Sequence, residues 1–455
     1  MKRACFLIFV LILSAAAFGQ VNVAPLDIKE RTLDNGMTVV SVRDTSNPVV
    51  TIQVWYRVGG KDDPQGKSGF AHMFEHMMFK STKNMPSEKM DRLTEDVGGW
   101  NNASTRDDLT NYYEVVPSNY LETLLWAESE RMVNLSVDAK NFKSERDVVK
   151  EEYRQGVLAN PYGQLFQYLD SLTYKVHPYK RGVIGNLEEL SAATLEDAFA
   201  FYRAYYRPDN ASLIVVGDFD QAKLDGWVDK YFGRIKKPSE PIKRVEVVEP
   251  DKTEVTRYTK KRPNVPLPAL GMTYLAPPSS SPDVPALEIA EAILSNGESS
   301  RLYQEIVFKK QLAQAVNLFT DIRTDKGLLA FFAVAAGGKK LEDIEAAILA
   351  EVKKLKETPP SQKELEKAKN SLITGILRSR ENANGKAVAI GEAIIYKGKA
   401  SAVNEDVAKL NAVTPDDVSR VLSKYFRENG RTVIYYVNGT PDDNDKSTAK
   451  KGGRQ

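Results

Sequence analysis

Cysteine and histidine are both scarce in this sequence. The 455 residues contain one cysteine, Cys5, and three histidines, His72, His76 and His177. Cys5 lies inside an apolar N-terminal segment that has the pattern of a cleaved signal peptide, so we expect the mature chain to have no thiol. A chain without a thiol forms no disulfide and has neither a cysteine nucleophile nor a thiolate metal ligand.

The sequence also lacks an excess of charge and a long apolar run. Its 63 basic and 61 acidic residues give a net charge of +2, which gives no reason to expect nucleic acid as a partner. The apolar stretch at residues 4–13 follows Lys2 and Arg3 and is shorter than the roughly 18 residues that a membrane-spanning helix needs. Small residues before Gln20 favour cleavage near Gly19. We therefore expect export to the periplasm or beyond, with no stable membrane span after cleavage; the alternative is an uncleaved anchor.

The length of the chain predicts two domains, because a single core seldom exceeds roughly 250 residues. Residues 190–194 match residues 410–414, and the match continues without a gap into the apolar strands at 213–216 and 433–436. We therefore predict two homologous α+β domains related by duplication, each an antiparallel or mixed sheet covered by helices; chance similarity is the alternative. The expected boundaries are a signal peptide at 1–19, a first domain at 25–240, a linker at 241–256, a second domain at 257–440 and a disordered tail at 441–455.

Local patterns predict the elements of the first domain. Alternating apolar residues around Asn35-Gly36 indicate a hairpin over residues 31–45 with a type I′ turn. Further elements are predicted as strands at 49–58 and 111–116, and as helices at 69–80, 119–133 and 138–158. In the second half, residues 341–355 and 362–378 are predicted as amphipathic helices.

Two of the three histidines lie in a motif. His72 and His76 are four residues apart, with Glu75 between them. On a helix, positions i and i+4 share a face, so both imidazoles can reach one metal ion, and Glu75 is placed to act as a base toward bound water. The alternative is a pair of buried histidines on a core helix.

A catalytic zinc site usually has three protein ligands and one open position. The candidates for the third ligand are His177 and the acidic helix over residues 144–152. Glu145 and Glu152, seven residues apart, lie on one face of that helix. A solvated acidic face is the alternative, and the spacing alone leaves the choice open.

Three segments together resemble the pitrilysin/insulinase family of zinc peptidases, in particular its processing-peptidase branch. They are Gly-Phe-Ala-His-Met-Phe-Glu-His-Met-Met-Phe-Lys-Ser-Thr at 69–82, Gly-Gly-Trp-Asn-Asn-Ala-Ser-Thr at 98–105 and Glu-Arg-Asp-Val-Val-Lys-Glu-Glu at 145–152. The resemblance extends from about residue 28 to 440.

The resemblance implies a role for each candidate residue. It implies one Zn²⁺ per chain, held by His72, His76 and Glu152, with Glu151 as the competing third ligand. Glu145 would support the site, and His177 would have no ligand role. The implied activity is an endopeptidase acting on extended peptides or unfolded segments, in which Glu75 is the general base. Asn102 and Ala103 would lie on an edge strand that pairs with the substrate backbone.

The second half departs from the motif. Its counterpart of the histidine helix, residues 287–294, contains no histidine, so no metal site is expected there. The resemblance implies an arginine and a tyrosine seven residues apart after the Ser300-Arg301-Leu302 signature, but these positions are occupied by Val307 and Gln314. We therefore expect a heterodimer with a homologous subunit that carries the arginine–tyrosine pair. The alternatives are a non-catalytic structural subunit and a metal-binding or transport module.

Overall fold

The computed structural model describes residues 23–441. The predicted signal peptide and all but the first residue of the predicted disordered tail lie outside this range. The strands are β1 (Lys29–Thr32), β2 (Thr38–Arg43), β3 (Val49–Tyr56), β4 (Trp100–Thr105), β5 (Thr110–Pro117), β6 (Ala211–Gly217), β7 (Thr256–Arg262), β8 (Ala269–Leu275), β9 (Ala313–Asp321), β10 (Leu328–Ala335) and β11 (Arg431–Asn438). The helices are α1 (Phe70–Met77), α2 (Lys89–Glu95), α3 (Leu121–Asn134), α4 (Ala139–Tyr153), α5 (Gly163–Ser171), α6 (Leu187–Ala192), α7 (Leu195–Tyr205), α8 (Gln221–Tyr231), α9 (Val284–Ser295), α10 (Leu341–Glu357), α11 (Gln362–Ser379), α12 (Ala383–Lys397), α13 (Asp406–Ala412) and α14 (Pro415–Tyr425).

The strands form two sheets that have the same topology apart from the additional edge strand β1 in the first. The first has the order β1-β2-β6-β3-β5-β4 and the second the order β7-β11-β8-β10-β9. In the first sheet β2 and β6 are parallel and the other pairs antiparallel. The second sheet repeats this pattern, since β7 and β11 are parallel and the remaining pairs antiparallel. The predicted fold class, two α+β domains related by duplication, is confirmed.

The match between the halves extends to the caps of their helices. Thr194 and Asp197 form a capping box at the start of α7, and Thr414 and Asp417 form the same box at the start of α14. Each side chain satisfies a backbone N–H that has no partner within the helix. The threonine–aspartate spacing thus fixes where both helices begin.

Both faces of the central strands of each sheet are buried, and each half contributes a helix to the other. Consecutive β6 residues alternate between faces, so Leu213 packs in the first-half core while Ile214 packs against α12 of the second half. In the second sheet, Ile434 packs against Leu165 of α5, which belongs to the first half. The stretch 236–255, where the linker is predicted, contains no helix or strand. It therefore separates the two halves in sequence but not in packing.

Most local predictions agree with the structure, and one turn does not. The hairpin is present, but of its turn residues only Gly36 has a positive φ, of 89°, whereas a type I′ turn needs two. The turn is instead closed by a bond from the Gly36 N–H to the Leu33 carbonyl at 2.8 Å. The type I′ prediction is wrong because pairing ends at Thr32 and Thr38, which leaves a five-residue loop, 33–37, in place of the two-residue loop that a type I′ turn closes. Within this loop the Asn35 amide donates to the carbonyls of Phe232 and Ile235.

Within residues 23–441, none of the helices combines the length and apolar composition that crossing a bilayer requires.

Candidate metal centre

The candidate ligands begin on α1. Its buried face consists of Phe70, Ala71, Met73, Phe74 and Met77. These residues pack in the core of the first half, which leaves His72, Glu75 and His76 half-buried on the other side. The apolar spacing therefore turns all three motif side chains toward one cleft.

Helix α4 brings the third candidate ligand to this cleft. Glu152 Oε2 lies 3.7 Å from His72 Nε2 and 3.5 Å from His76 Nε2. Ligand atoms of the three residues all lie within 4.8 Å of one another, and they form the one such group among residues 23–441. Two ligands of a tetrahedral zinc ion, with bonds of about 2.1 Å, are about 3.4 Å apart. The donor set therefore suits zinc in type and spacing, and the 43% exposure of the Glu152 side chain leaves one side open to water.

Burial, together with the neighbouring His76, lowers the pKa of His72 to about 4. Its imidazole is therefore neutral at pH 7, with a lone pair available to a metal. Burial alone would also lower the pKa of His76, but the carboxylates of Glu145, Glu152 and Glu75 outweigh burial and raise it. The three carboxylates thus make the surroundings of His76 favourable to a positive charge.

Glu145 supports His76 from behind. Its Oε2 lies 3.6 Å from His76 Nδ1, and its Oε1 lies 2.9 Å from Lys80 Nζ. Burial would raise the pKa of Glu145, but the interactions with His76 and Lys80 lower it. An ionised carboxylate at Nδ1 directs the opposite nitrogen, Nε2, toward Glu152. Lys80 has no role assigned by the sequence reasoning, although it lies inside the quoted motif.

Glu75 is held by a residue of the edge strand. Thr105 Oγ1, at the end of β4, donates a hydrogen bond to Glu75 Oε2 at 2.5 Å. Burial raises the pKa of Glu75, and the Thr105 hydrogen bond opposes this. A carboxyl with a raised pKa exchanges a proton more readily near neutral pH. The sequence alone predicted no role for Thr105. The available indication was that Thr105 belongs to the segment 98–105, which carries part of the family resemblance.

Strand β4 is the edge of the first sheet and pairs with β5. Asn102 is exposed, and its Oδ1 accepts a hydrogen bond from the Ala103 N–H at 2.8 Å. The Ala103 N–H therefore points away from β5, toward the free side of the strand. An extended chain lying along this edge could add to the sheet as a further strand, with its carbonyl replacing Asn102 Oδ1 as the acceptor of this N–H.

The structure does not bring two of the alternative ligands to the cleft. Glu151 is exposed and bonds to Arg154 and Gln155 of the π-helical turn that follows α4. His177 is buried, and its Nε2 lies 3.5 Å from Asp325 of the second half. Glu152 alone among the proposed third ligands lies beside His72 and His76.

Comparison with known proteins gives the family. Residues 38–186 match the sequence model described as insulinase (Peptidase family M16), and residues 192–372 match that described as the Peptidase M16 inactive domain. The chain is 30% identical over 406 residues to the zinc protease PqqE of Helicobacter pylori, covering 89% of this chain and 91% of that protein. The chain belongs to the M16 family.

Other M16 relatives agree with this assignment. The crystal structure of a protease from Helicobacter pylori has a TM-score of 0.87 and 29% identity, covering 90% of this chain and 99% of that one. The mitochondrial-processing peptidase subunit beta of Lentinula edodes is 25% identical, covering 87% of this chain and 86% of that protein. The predicted pitrilysin/insulinase resemblance is confirmed.

In the second M16 domain, the cleft equivalent to the candidate site has different residues. Helix α9 follows β8 as α1 follows β3, the two strands having the same place in their sheets, and α9 presents Glu288, Glu291 and Ala292 to a cavity of about 430 Å³. The Thr320 backbone N–H donates to Glu291 Oε2 at 2.9 Å, whereas Thr105 donates to Glu75 through its hydroxyl, and the spacing of residues 288, 291 and 292 repeats that of 72, 75 and 76. Glu291 therefore corresponds to Glu75, while Glu288 and Ala292 stand where His72 and His76 stand.

The positions implied for an arginine and a tyrosine lie on two elements of this second domain. Val307 is in a π-helical turn, Tyr303–Lys309, and packs against the second-half core. Gln314 is exposed at the start of β9. Neither side chain carries the positive charge or the phenol of the implied pair.

Proposed function

We propose that this protein is a zinc-dependent endopeptidase that hydrolyses extended peptides or unfolded segments. The observation that carries the proposal is the meeting of His72, His76 and Glu152, with Glu75 held beside them. The name of the Helicobacter pylori relative, a zinc protease, supports it. The proposal includes export, because the segment before Gln20 has the pattern of a signal peptide.

His72 Nε2, His76 Nε2 and Glu152 would hold the zinc ion. When bound, zinc acidifies a water molecule and polarises the scissile carbonyl. Glu75 accepts the proton of the attacking water on its carboxylate and passes it to the leaving amine. Thr105 keeps Glu75 in place, Glu145 orients His76, and the free edge of β4 at Asn102 and Ala103 aligns the substrate backbone.

The test separates metal binding from hydrolysis. Glu152→Ala should lose bound zinc, because two imidazoles remain as ligands. Glu75→Gln should keep stoichiometric zinc and lose about 10²- to 10⁴-fold in cleavage of a quenched peptide. Glu151→Ala is the matched control and should keep both. Stoichiometric zinc in purified Glu152→Ala, measured by metal analysis, would contradict the assignment.

We further infer that the active form is a heterodimer with a homologous subunit that carries the arginine–tyrosine pair. Two observations support this inference. The positions implied for the arginine and the tyrosine hold Val307 and Gln314, and the Lentinula edodes relative is named as a subunit beta. An arginine and a tyrosine hydroxyl would stabilise charge in the transition state. Peptide hydrolysis should rise when such a homologue, lacking the histidines, is co-expressed. Full activity from the chain alone, unchanged by that homologue, would refute the inference.

A further inference from the structure

A loop of five residues, Gly59–Asp63, lies between β3 and α1 and contains three consecutive charged side chains. Lys61 interacts with the junction between the two halves, Asp62 with the loop itself and Asp63 with α1. The loop therefore connects the second half to the helix that carries His72 and His76.

Asp63 caps the first turn of α1 from outside the helix. Its Oδ2 accepts a hydrogen bond from the Gly69 N–H at 2.6 Å, and its Oδ1 accepts one from the Ala71 N–H at 2.8 Å. The side chain is 4% exposed, so water cannot replace it. The first N–H groups of a helix lack partners within the helix, and the two oxygens of Asp63 supply acceptors at this end. Asp63 thus fixes the N-terminal end of α1, which begins two residues before His72.

Lys61 reaches the opposite side of the loop. Its Nζ lies 2.8 Å from Asp108 Oδ1, 2.6 Å from Thr324 Oγ1 and 3.3 Å from Asp325 Oδ2. Asp108 follows β4 in the first half, whereas Thr324 and Asp325 lie in the turn between β9 and β10 of the second. One ammonium group therefore joins the loop to both halves.

The junction is a closed set of hydrogen bonds around Asp108. Its carboxylate accepts from the Thr324 N–H at 3.0 Å, from Thr324 Oγ1 at 2.5 Å and from Tyr179 OH at 2.6 Å. Burial would raise the pKa of Asp108, but Lys61 and these bonds lower it. The carboxylate stays ionised and keeps its bond to Lys61.

The loop is too constrained to absorb a movement at either end. Asp62 Oδ2 accepts from the Gly59 N–H at 3.0 Å, and the Lys61 N–H donates to the Asp107 carbonyl at 3.1 Å. Lys61 and Asp63 are two residues apart, so a displacement of one displaces the other.

We propose that the Gly59–Asp63 loop couples the second half of the molecule to the metal helix. Asp63 is the positioning residue that acts on α1. Lys61 holds the loop to the second half through its bonds to Asp108 and Thr324. The inference rests on the proposed function in that α1 is taken as the metal helix. It gives the second half, which lacks a histidine on α9, a role in holding the first-half site.

The first measurement is amide hydrogen exchange in peptides covering residues 70–77 of the full-length, metal-free protein. Asp63→Ala should speed this exchange about tenfold, because a helix cap is lost. Asp63→Asn, which keeps one acceptor, should restore part of the protection. Lys61→Met and Thr324→Val should each speed this exchange about threefold. The double variant should speed it by less than the product of the two single effects.

Asp220→Ala is the matched control, because Asp220 caps α8 through the Lys223 N–H and lies elsewhere in the first half. It should speed exchange in α8 and leave residues 70–77 unchanged. Protection of residues 70–77 that is the same in Asp63→Ala, Lys61→Met and the parent would overturn the coupling.

The second measurement is Co²⁺ binding, followed by its visible absorption. The parent should bind one equivalent, and Asp63→Ala should bind about tenfold more weakly with an altered spectrum, which Asp63→Asn partly restores. No Co²⁺ binding by the parent, with the exchange results as expected, would refute the proposed metal site and leave the coupling standing. Parent-like affinity and spectrum in Asp63→Ala would overturn the positioning role while the metal site stands.

Discussion

The residues that face the second-half cleft show how the side chains at two helix positions change the chemistry of this fold. Where α1 carries two imidazoles and one carboxyl, α9 carries Glu288 and Glu291 with Ala292. Two carboxyls in one cavity repel each other when both are ionised. Burial, with the nearby Asp406 and Glu291 and against Lys397, raises the pKa of Glu288 to about 7.

This shift predicts a pH-dependent stability. In the unfolded chain Glu288 has an ordinary pKa near 4.5, and in the folded chain about 7. Between these values the folded protein binds a proton that the unfolded chain does not, so the contribution of Glu288 to stability is greatest at low pH and falls as the pH rises through 7. The protein should lose about 2–3 kcal/mol between pH 5 and pH 8 that the Glu288→Gln variant keeps.

The measurement is the difference in the free energy of unfolding between variant and parent, from urea denaturation at pH 5 and pH 8. Glu298→Gln is the control, because Glu298 is an exposed glutamate of the same half. It should show no pH-dependent difference from the parent. A Glu288→Gln difference that is equal at the two pH values would mean that Glu288 is ionised throughout.

At the scale of helices and strands, the sequence carries what is local. The spacing of apolar residues predicted α1, α3 and α4, and the Thr-x-x-Asp boxes mark the starts of α7 and α14, because caps and periodicity depend on neighbouring residues alone. The histidine pair followed from its spacing for the same reason. These are the parts of the fold and of the site that could be predicted.

Which partner a buried face meets could not be predicted in the same way. The apolar residues of α12 indicate burial, but nothing local says that the sheet they cover belongs to the other half. The choice between Glu151 and Glu152 depended on resemblance. The two side chains point in directions about 100° apart on the helix, but both ends of α4 are polar, so the sequence pattern does not indicate which direction faces the histidines. The roles of Asp63 and Thr105 could not be predicted because each bonds to a residue outside its own local segment. Asp63 bonds to Ala71, and Thr105 bonds to Glu75.

For the molecule as a whole, the exchange of α5 and α12 makes the two halves one structure. Trp55 of β3 is 2% exposed, and its Nε1 donates to Gln53 Oε1 at 2.8 Å. Gln53 in turn donates to Asn384 Oδ1 of α12 at 2.8 Å. The indole therefore lies in a fixed orientation under a helix from the other half.

Gly391 is the residue of α12 that permits this approach. A Cβ on Gly391 would lie 2.1 Å from Trp55 Cε2, so α12 would have to move away from the sheet. Replacing a glycine inside a helix by alanine ordinarily stabilises a protein by about 1 kcal/mol. Gly391→Ala should instead destabilise it by about 1–3 kcal/mol, because overpacking outweighs the gain in helix propensity.

Gly375→Ala is the matched comparison, since Gly375 lies inside α11 and an added Cβ there meets nothing within 4 Å. It should stabilise the protein by about 0.5–1 kcal/mol. Both values come from urea denaturation of the full-length protein. Because α12 covers the sheet that ends in β4, Gly391→Ala should also reduce peptide cleavage, whereas Gly375→Ala should leave it unchanged. Equal stabilisation by both alanines would mean that α12 does not pack on Trp55.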